Sequence, residues 1–207
     1  MQPLVVIHPY YYSWQKRLFD ICLSIFLIFA LSSIFVVLSL LVLLTLGWPV
    51  LFVQLRQGKN KKQFRLFKFR TMITTAAVWK PLIRYGNEAP EPMFKMQDDP
   101  RFVGIGRWLS RSGLDELPQL FNILRGNMSF VGPRPLPVEE AAALPASWEF
   151  RYQVRPGLVS EWVLSEKKYG SLRDWREAEA TSLVTGSITH DIALLARASQ
   201  VVWRWSL

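Results

Sequence analysis

The sequence predicts an α-rich chain with minor β structure: an apolar membrane segment followed by a small basic domain at the membrane surface. Three observations carry this. Residues 21–55 contain no Asp, Glu, Lys or Arg, whereas a helix of about 20 residues already crosses the hydrocarbon core of a bilayer. Basic residues flank that run on both sides, with Lys16 and Arg17 before it and Arg56, Lys59, Lys61, Lys62, Arg65, Lys68 and Arg70 after it. Beyond it, apolar residues recur at helical spacing toward residue 124, and only 64–72 alternates in the manner of a strand.

The 207 residues carry 25 Lys and Arg against 16 Asp and Glu, a formal net charge of +9. Such a chain favours anionic partners: nucleic acid, anionic lipid or a phosphorylated substrate. The uncharged run points to the membrane first. Cys22 is the only cysteine, so no intramolecular disulfide can form, and it reads as a small packing residue. His8 and His190 lack partners at zinc-ligand spacing, which argues against zinc chemistry.

Taken in order, residues 1–15 form an interfacial segment. Its Tyr10, Tyr11, Tyr12 and Trp14 suit the headgroup level, with an unstructured tail as the alternative. Residues 16–55 form the membrane region. Charge and length support two forms for it. One dips into the bilayer and returns, broken at Ser32 and Ser33, whose hydroxyls can bond back to carbonyls four residues earlier. The other is a single tilted crossing. Residues 56–207 form the third region. It opens with 64–72, where Arg65, Lys68 and Arg70 suggest a strand with one cationic face. Residues 73–97, with Pro81, Pro90 and Pro92, read as a loop with a short helix.

Arg101, Arg107 and Arg111 among Phe102, Trp108 and Leu109 suit a helix lying on a membrane, with nucleic-acid stacking as the competing reading. Leu114, Leu117, Leu120, Phe121 and Leu124 then follow helical spacing, and Ser112 with Asp115 matches a capping pattern. Asp115 and Glu116 thus fall at a helix start, a place that suits carboxylates and bound phosphate. Gly132, Pro133 and Pro135 force a rigid turn around Arg134, and residues 154–157 repeat that arrangement around Arg155. A guanidinium so fixed suits bidentate phosphate binding. Residues 136–150 read as an acidic helix and a proline-bounded loop, 171–184 as a surface helix. Residues 190–205 read as an amphipathic helix with Arg197 and Arg204 beside Trp203 and Trp205.

In order, the blocks are K-R-x-x-D (16–20), the apolar run, G-x-P-V-x-F-x-Q-x-R-x-G (47–58), F-x-x-x-K-F-R-T-M (64–72) and D-D-P-R (98–101). L-D-E-L-P-Q-L-F-N (114–122), G-x-M-S-F-V-G-P-R-P (126–135) and V-R-P-G (154–157) follow. Together they resemble the bacterial sugar transferases, the small monotopic polyprenyl-phosphate phosphoglycosyl transferases. The resemblance implies a re-entrant helix broken at Ser32 and Ser33, and a small cytosolic catalytic domain with both termini on the cytoplasmic face of the bacterial inner membrane. It implies transfer of a sugar phosphate from a nucleotide-diphosphate sugar, usually uridine-linked, to undecaprenyl phosphate with Mg²⁺. Asp115 would be the nucleophile and Glu116 its assistant, the two also holding the metal. Lys68, Arg134, Arg155, Arg111 and Asp191 would bind substrate phosphate. Nucleic acid is not an expected partner, and a homodimer is left open. The chain departs from the family pattern at Ser33, where a proline is usual, at Ser110, across 158–161 and at Thr181-Ser182. A catalytically weak relative that binds lipid phosphate or acts as a scaffold is the alternative.

Overall fold

The computed structural model describes residues 5–165 and 170–206, with side chains through residue 200. The side chains of Trp203, Arg204 and Trp205 therefore lie outside the described residues, as do residues 1–4 of the expected N-terminal segment. Pro9–Tyr12 makes a 3-10 turn. Helices α1 (Trp14–Ala30) and α2 (Ser32–Leu46) follow, then the strands β1 (Leu51–Gln57) and β2 (Gln63–Phe69) and a short helix α3 (Ala76–Trp79). Next come α4 (Gly106–Ser112), α5 (Gln119–Leu124), β3 (Ser129–Val131), β4 (Leu136–Pro137) and α6 (Val138–Ala142). The chain closes with β5 (Gly157–Val159), α7 (Glu161–Leu164), α8 (Leu172–Val184) and α9 (Ile188–Ser206). The α-rich expectation with minor β structure holds.

The apolar run is not one helix. α1 and α2 are bent by 63° relative to one another, and no single described helix is long and apolar enough to cross a membrane. The break falls at Leu31, whose ψ of 12° leaves the helical region. Ser32 and Ser33 are instead the first two residues of α2, and the expected back-bonding falls to Ser24, Ser39 and Thr45. α2 stops at Gly47, which takes a positive φ of 78°. The last part of the uncharged run is consequently β1, a strand that the run's composition concealed.

α1 is turned inside out relative to a helix of a soluble domain. Its buried residues are Lys16, Asp20 and Ser24, one stripe at a spacing of four. Phe26 and Phe29 face outward, Phe29 at 83% exposure, and the free Cys22 is exposed rather than packed. On α2, Val36, Val37 and Leu44 are exposed as well. The inner side of the pair is held by Leu23, Leu27, Ile28 and Phe35, which pack on a core of Phe64, Leu66, Leu120, Ile123, Met128, Phe130, Val131 and Leu194.

β1 pairs antiparallel with β2, Phe52 opposite Lys68, and with the two-residue β4 on its other edge. Two-residue alternation puts Lys68 with Phe64 and Leu66 on one face of β2 and Arg65 with Phe67 and Phe69 on the other. The single cationic face expected of this strand is thus split. β3 and β5 pair in parallel, Ser129 with Gly157 and Val131 with Val159. A second core holds Trp148, Trp162 and Trp175 with Leu136 and Tyr152. α8, expected on the surface, buries Trp175, Glu179, Ser182 and Leu183 in and beside that core. The N-terminal tyrosines are docked rather than trailing: Tyr11 is buried and its hydroxyl donates to the Ser182 carbonyl at 3.1 Å.

Candidate active site

Asp115 and Glu116 lie in a single 3-10 turn, Leu114–Glu116, between α4 and α5. Gly113, with φ of 72°, ends α4 in the left-handed region and lets the chain reverse into this turn. The Ser112 hydroxyl donates back to the Leu109 carbonyl at 3.1 Å, so the expected capping pair with Asp115 does not form. Gly106 begins α4 against Thr71: a Cβ there would stand 1.9 Å from the Thr71 carbonyl oxygen. Only glycine permits this approach of α4 to the end of β2.

Lys68 reaches the acid pair from β2. Its Nζ lies 2.5 Å from Glu116 and 3.6 Å from Asp115. Asn122 fixes the geometry. Its side-chain amide donates to the Arg65 carbonyl at 2.7 Å and its oxygen accepts from the Phe67 N–H at 3.0 Å. It pairs with the free edge of β2 as a neighbouring strand would, and so bolts α5 beside Lys68. Pro118 immediately precedes α5, where its missing N–H costs nothing.

Burial pushes the Asp115 carboxyl up to about 6; Lys68 opposes the rise and Glu116 adds to it. Burial also works against ionising Glu116, but Lys68 and Arg134 outweigh it and hold that carboxyl below its ordinary value. The two neighbouring acids are therefore driven apart, Glu116 firmly charged and Asp115 poised. Two further cations act on this site, Arg56 and Lys95. Burial, helped by the nearby Arg134, lowers both of them. Arg56 sits in a block noted in the sequence without a role, and Lys95 in a stretch with no motif. Lys68, Lys95, Arg56 and Arg134 thus surround two carboxylates, an excess of positive charge suited to a polyanion.

The turn that carries Arg134 is held at every side. The Gly132 N–H donates to the Val159 carbonyl, the Gly157 N–H donates to the Pro133 carbonyl at 2.9 Å, and Arg56 donates to the Pro135 carbonyl at 2.9 Å. A Cβ on Gly157 would stand 2.1 Å from the Gly132 nitrogen, so the two proline–arginine turns touch backbone to backbone.

A family model described as "Bacterial sugar transferase" matches residues 11–205. The chain belongs to the bacterial sugar transferase family. Within this family it is 37% identical over 164 residues to an undecaprenyl-phosphate glucose phosphotransferase of Komagataeibacter xylinus, covering 76% of the chain and 29% of that relative. It is 32% identical over 193 residues to an undecaprenyl-phosphate galactose phosphotransferase of Salmonella typhimurium, covering 91% of the chain and 40% of the relative. It is 38% identical over 155 residues to the exopolysaccharide production protein ExoY of Sinorhizobium fredii, covering 73% and 69%. The chain thus spans well under half of the two phosphotransferases.

Of the positions expected to bind phosphate, Lys68 lies against the acid pair and Arg134 acts on Glu116, while Arg155, Arg111 and Asp191 each meet other partners. Arg155 donates through Nε to the Gly126 carbonyl at 2.8 Å, and its charge acts on Arg17 and Lys59. Arg111 lies on α4 at 3.7 Å from Asp98. Asp191 is fully buried, where its Oδ2 lies 2.7 Å from Lys16 and accepts from the Tyr10 hydroxyl at 2.9 Å. Held in this way, Asp191 ties α9 to α1.

Proposed function

We propose that this chain transfers a sugar phosphate from a uridine-diphosphate sugar to undecaprenyl phosphate, releasing UMP, at the start of exopolysaccharide or related glycan assembly. The observation that carries the reading is the adjacent pair Asp115 and Glu116, met by the Lys68 ammonium at 3.6 and 2.5 Å. The names of its relatives, among them two undecaprenyl-phosphate sugar phosphotransferases, support the substrates.

In this reading the Asp115 carboxylate attacks the phosphorus that bears the sugar. The phosphorus–oxygen bond to UMP breaks, and the phosphosugar is held as an acyl phosphate on Asp115. A phosphate oxygen of the lipid then attacks the same phosphorus, freeing Asp115 and leaving a sugar diphospholipid. Arg134, Arg56, Lys68 and Lys95 neutralise the oxygens as charge moves between them, which is most of what phosphoryl transfer requires. Glu116, held in its charged form, orients Lys68, whose Nζ lies 2.5 Å from it.

The donor set also fits Mg²⁺. That ion binds through one or two carboxylates, keeps several waters and completes its shell with substrate phosphate. No cluster of three or more acidic, His or Cys side chains exists among the described residues. Asp115 and Glu116 would hold the ion, and when bound it would neutralise diphosphate charge.

We read α1 and α2 as a re-entrant pair that enters the cytoplasmic leaflet of the inner membrane and returns. Both termini are then cytoplasmic. The 63° bend, the outward apolar faces and the basic residues on both flanks support this. In purified protein with labelled UDP-sugars and undecaprenyl phosphate, UMP release should be lost in Asp115→Asn and severely reduced in Glu116→Gln. Because the nucleophile must be ionised, and burial holds its carboxyl above the usual range, the wild-type rate should rise with pH on the acid side. Turnover by Asp115→Asn near the wild-type rate would overturn the covalent route.

A further inference from the structure

Arg134 lies between Pro133 and Pro135, whose rings fix their own φ, and the Pro135 ring also disfavours the helical region for Arg134. Both polar groups of Arg134's backbone are gripped by the same buried ion pair. Its N–H donates to Glu179 Oε1 at 3.0 Å, and its carbonyl accepts from Arg151 Nη2 at 2.7 Å. Arg151 and Glu179 are joined twice, Nε to Oε2 at 3.1 Å and Nη2 to Oε1 at 3.0 Å. Their exposures are only 3% and 2%. Trp175 Nε1 donates to Glu179 Oε1 at 2.9 Å, and the Arg151 guanidinium carbon lies 5.2 Å from the Trp175 ring centre and 5.7 Å from that of Trp148. The pair is thus itself fixed by the tryptophan core.

A buried ion pair is a poor source of stability, because desolvating both charges offsets their attraction and apolar residues would serve as well. Here its geometry does something apolar residues could not: it sets both ends of one residue's backbone. We propose that Arg151 and Glu179 are positioning residues for the reaction, holding Arg134 so that its guanidinium meets the donor diphosphate beside Glu116. The inference rests on the reading of Arg134 as a phosphate ligand. It makes α8, more than forty residues further along the chain, part of the machinery for binding the donor.

The test is a double-mutant cycle read in equilibrium binding of UDP-galactose to the purified full chain, which needs no turnover. Glu179→Gln keeps the shape and one acceptor but loses the charge that holds Arg151. It should weaken binding about tenfold when Arg134 is present and leave it within about twofold in the Arg134→Ala background. Arg151→Lys should behave alike, since one ammonium cannot serve both Glu179 oxygens and the Arg134 carbonyl. It carries the same cycle if Glu179→Gln reduces the yield of folded protein. Equal losses in both backgrounds, or a lowered thermal midpoint with unchanged affinity, would overturn the positioning role and leave only a structural one. If UDP-galactose does not bind, the same cycle is read with UDP, the part every such donor shares; failure of UDP to bind the wild-type protein would instead overturn the proposed donor class, and this inference with it.

Discussion

α1 and α8 each bury a single acid, and the two acids grip the same short piece of chain. Asp20 on α1 accepts from the Phe130 N–H at 3.2 Å and the Ser129 hydroxyl at 3.0 Å. Glu179 on α8 accepts from the Arg134 N–H at 3.0 Å. The surroundings are opposite. Asp20 belongs to a polar stripe on a helix whose outer face is apolar, whereas Glu179 sits between Trp175 and Leu183 on a helix whose outer face carries Arg173 and Glu177. The first arrangement suits a helix whose outer face meets lipid, the second a helix whose outer face meets water. Both place their buried charge on β3 and the turn that follows, so the segment leading to Arg134 is tied to α1 on one side and to the tryptophan core on the other.

Breaking the anchor side should have the largest effect. Asp20→Ala leaves Lys16 with only Asp191 and leaves the Phe130 N–H and Ser129 hydroxyl unmet. A broken buried pair costs about 3–5 kcal/mol. The expected result is a steep fall in folded protein recovered from membranes in detergent. Recovery at the wild-type level would mean that the stripe on α1 is ornamental.

The next comparison sets one outward face against the other. Phe29→Lys puts a charge where the structure shows an 83% exposed ring. In a bilayer this costs about 2.5–3.5 kcal/mol on insertion scales and should reduce membrane-bound protein. Arg173→Glu on α8 should stay within about 0.5 kcal/mol of wild type, as surface changes do. If Phe29→Lys proves as harmless in a membrane-fraction assay, the outward face of α1 does not meet lipid.

Asp191→Asn should cost less than either Asp20→Ala or Phe29→Lys. Lys16 keeps Asp20, at 3.1 Å, and the amide oxygen can still accept from Tyr10. The expected cost is about 1–2 kcal/mol of stability, with affinity for UDP-galactose unchanged. A clear loss of affinity would return Asp191 to the list of phosphate ligands.

What could be read from the sequence follows the range of the interaction. The apolar run, the strand at Lys68 and the adjacency of Asp115 and Glu116 are local, and each stands in the structure, though the run ends early in β1. The helix break was read one residue late, because Ser32 and Ser33 announce bending chemistry that they do not perform. β3 and β5 are three residues each, too short for a periodic signal, and their pairing joins segments far apart. Glu179 was hidden among Arg173, Asp174, Arg176 and Glu177 on a helix that reads as charged throughout. The spacing of four that aligns Trp175, Glu179 and Leu183 was the available sign that this acid points inward. The tie of Asp191 is hidden for a related reason: its partners Lys16 and Tyr10 lie near the other end of the described residues, and nothing local announces them.

The meeting of Tyr10, Lys16 and Asp191 also fixes an order of events during synthesis. Chains emerge from the ribosome N-terminus first, so α1 and α2 are made and can enter the bilayer while everything from β1 onward is still to come. Lys16 then has Asp20 one turn away and can enter as a neutral pair. Asp191 arrives after nearly every other described element, on α9, and its arrival closes the anchor over the finished domain. The tie of Lys16 and Tyr10 to Asp191 is thus a contact that α1 can make only after the rest of the described domain has been synthesised.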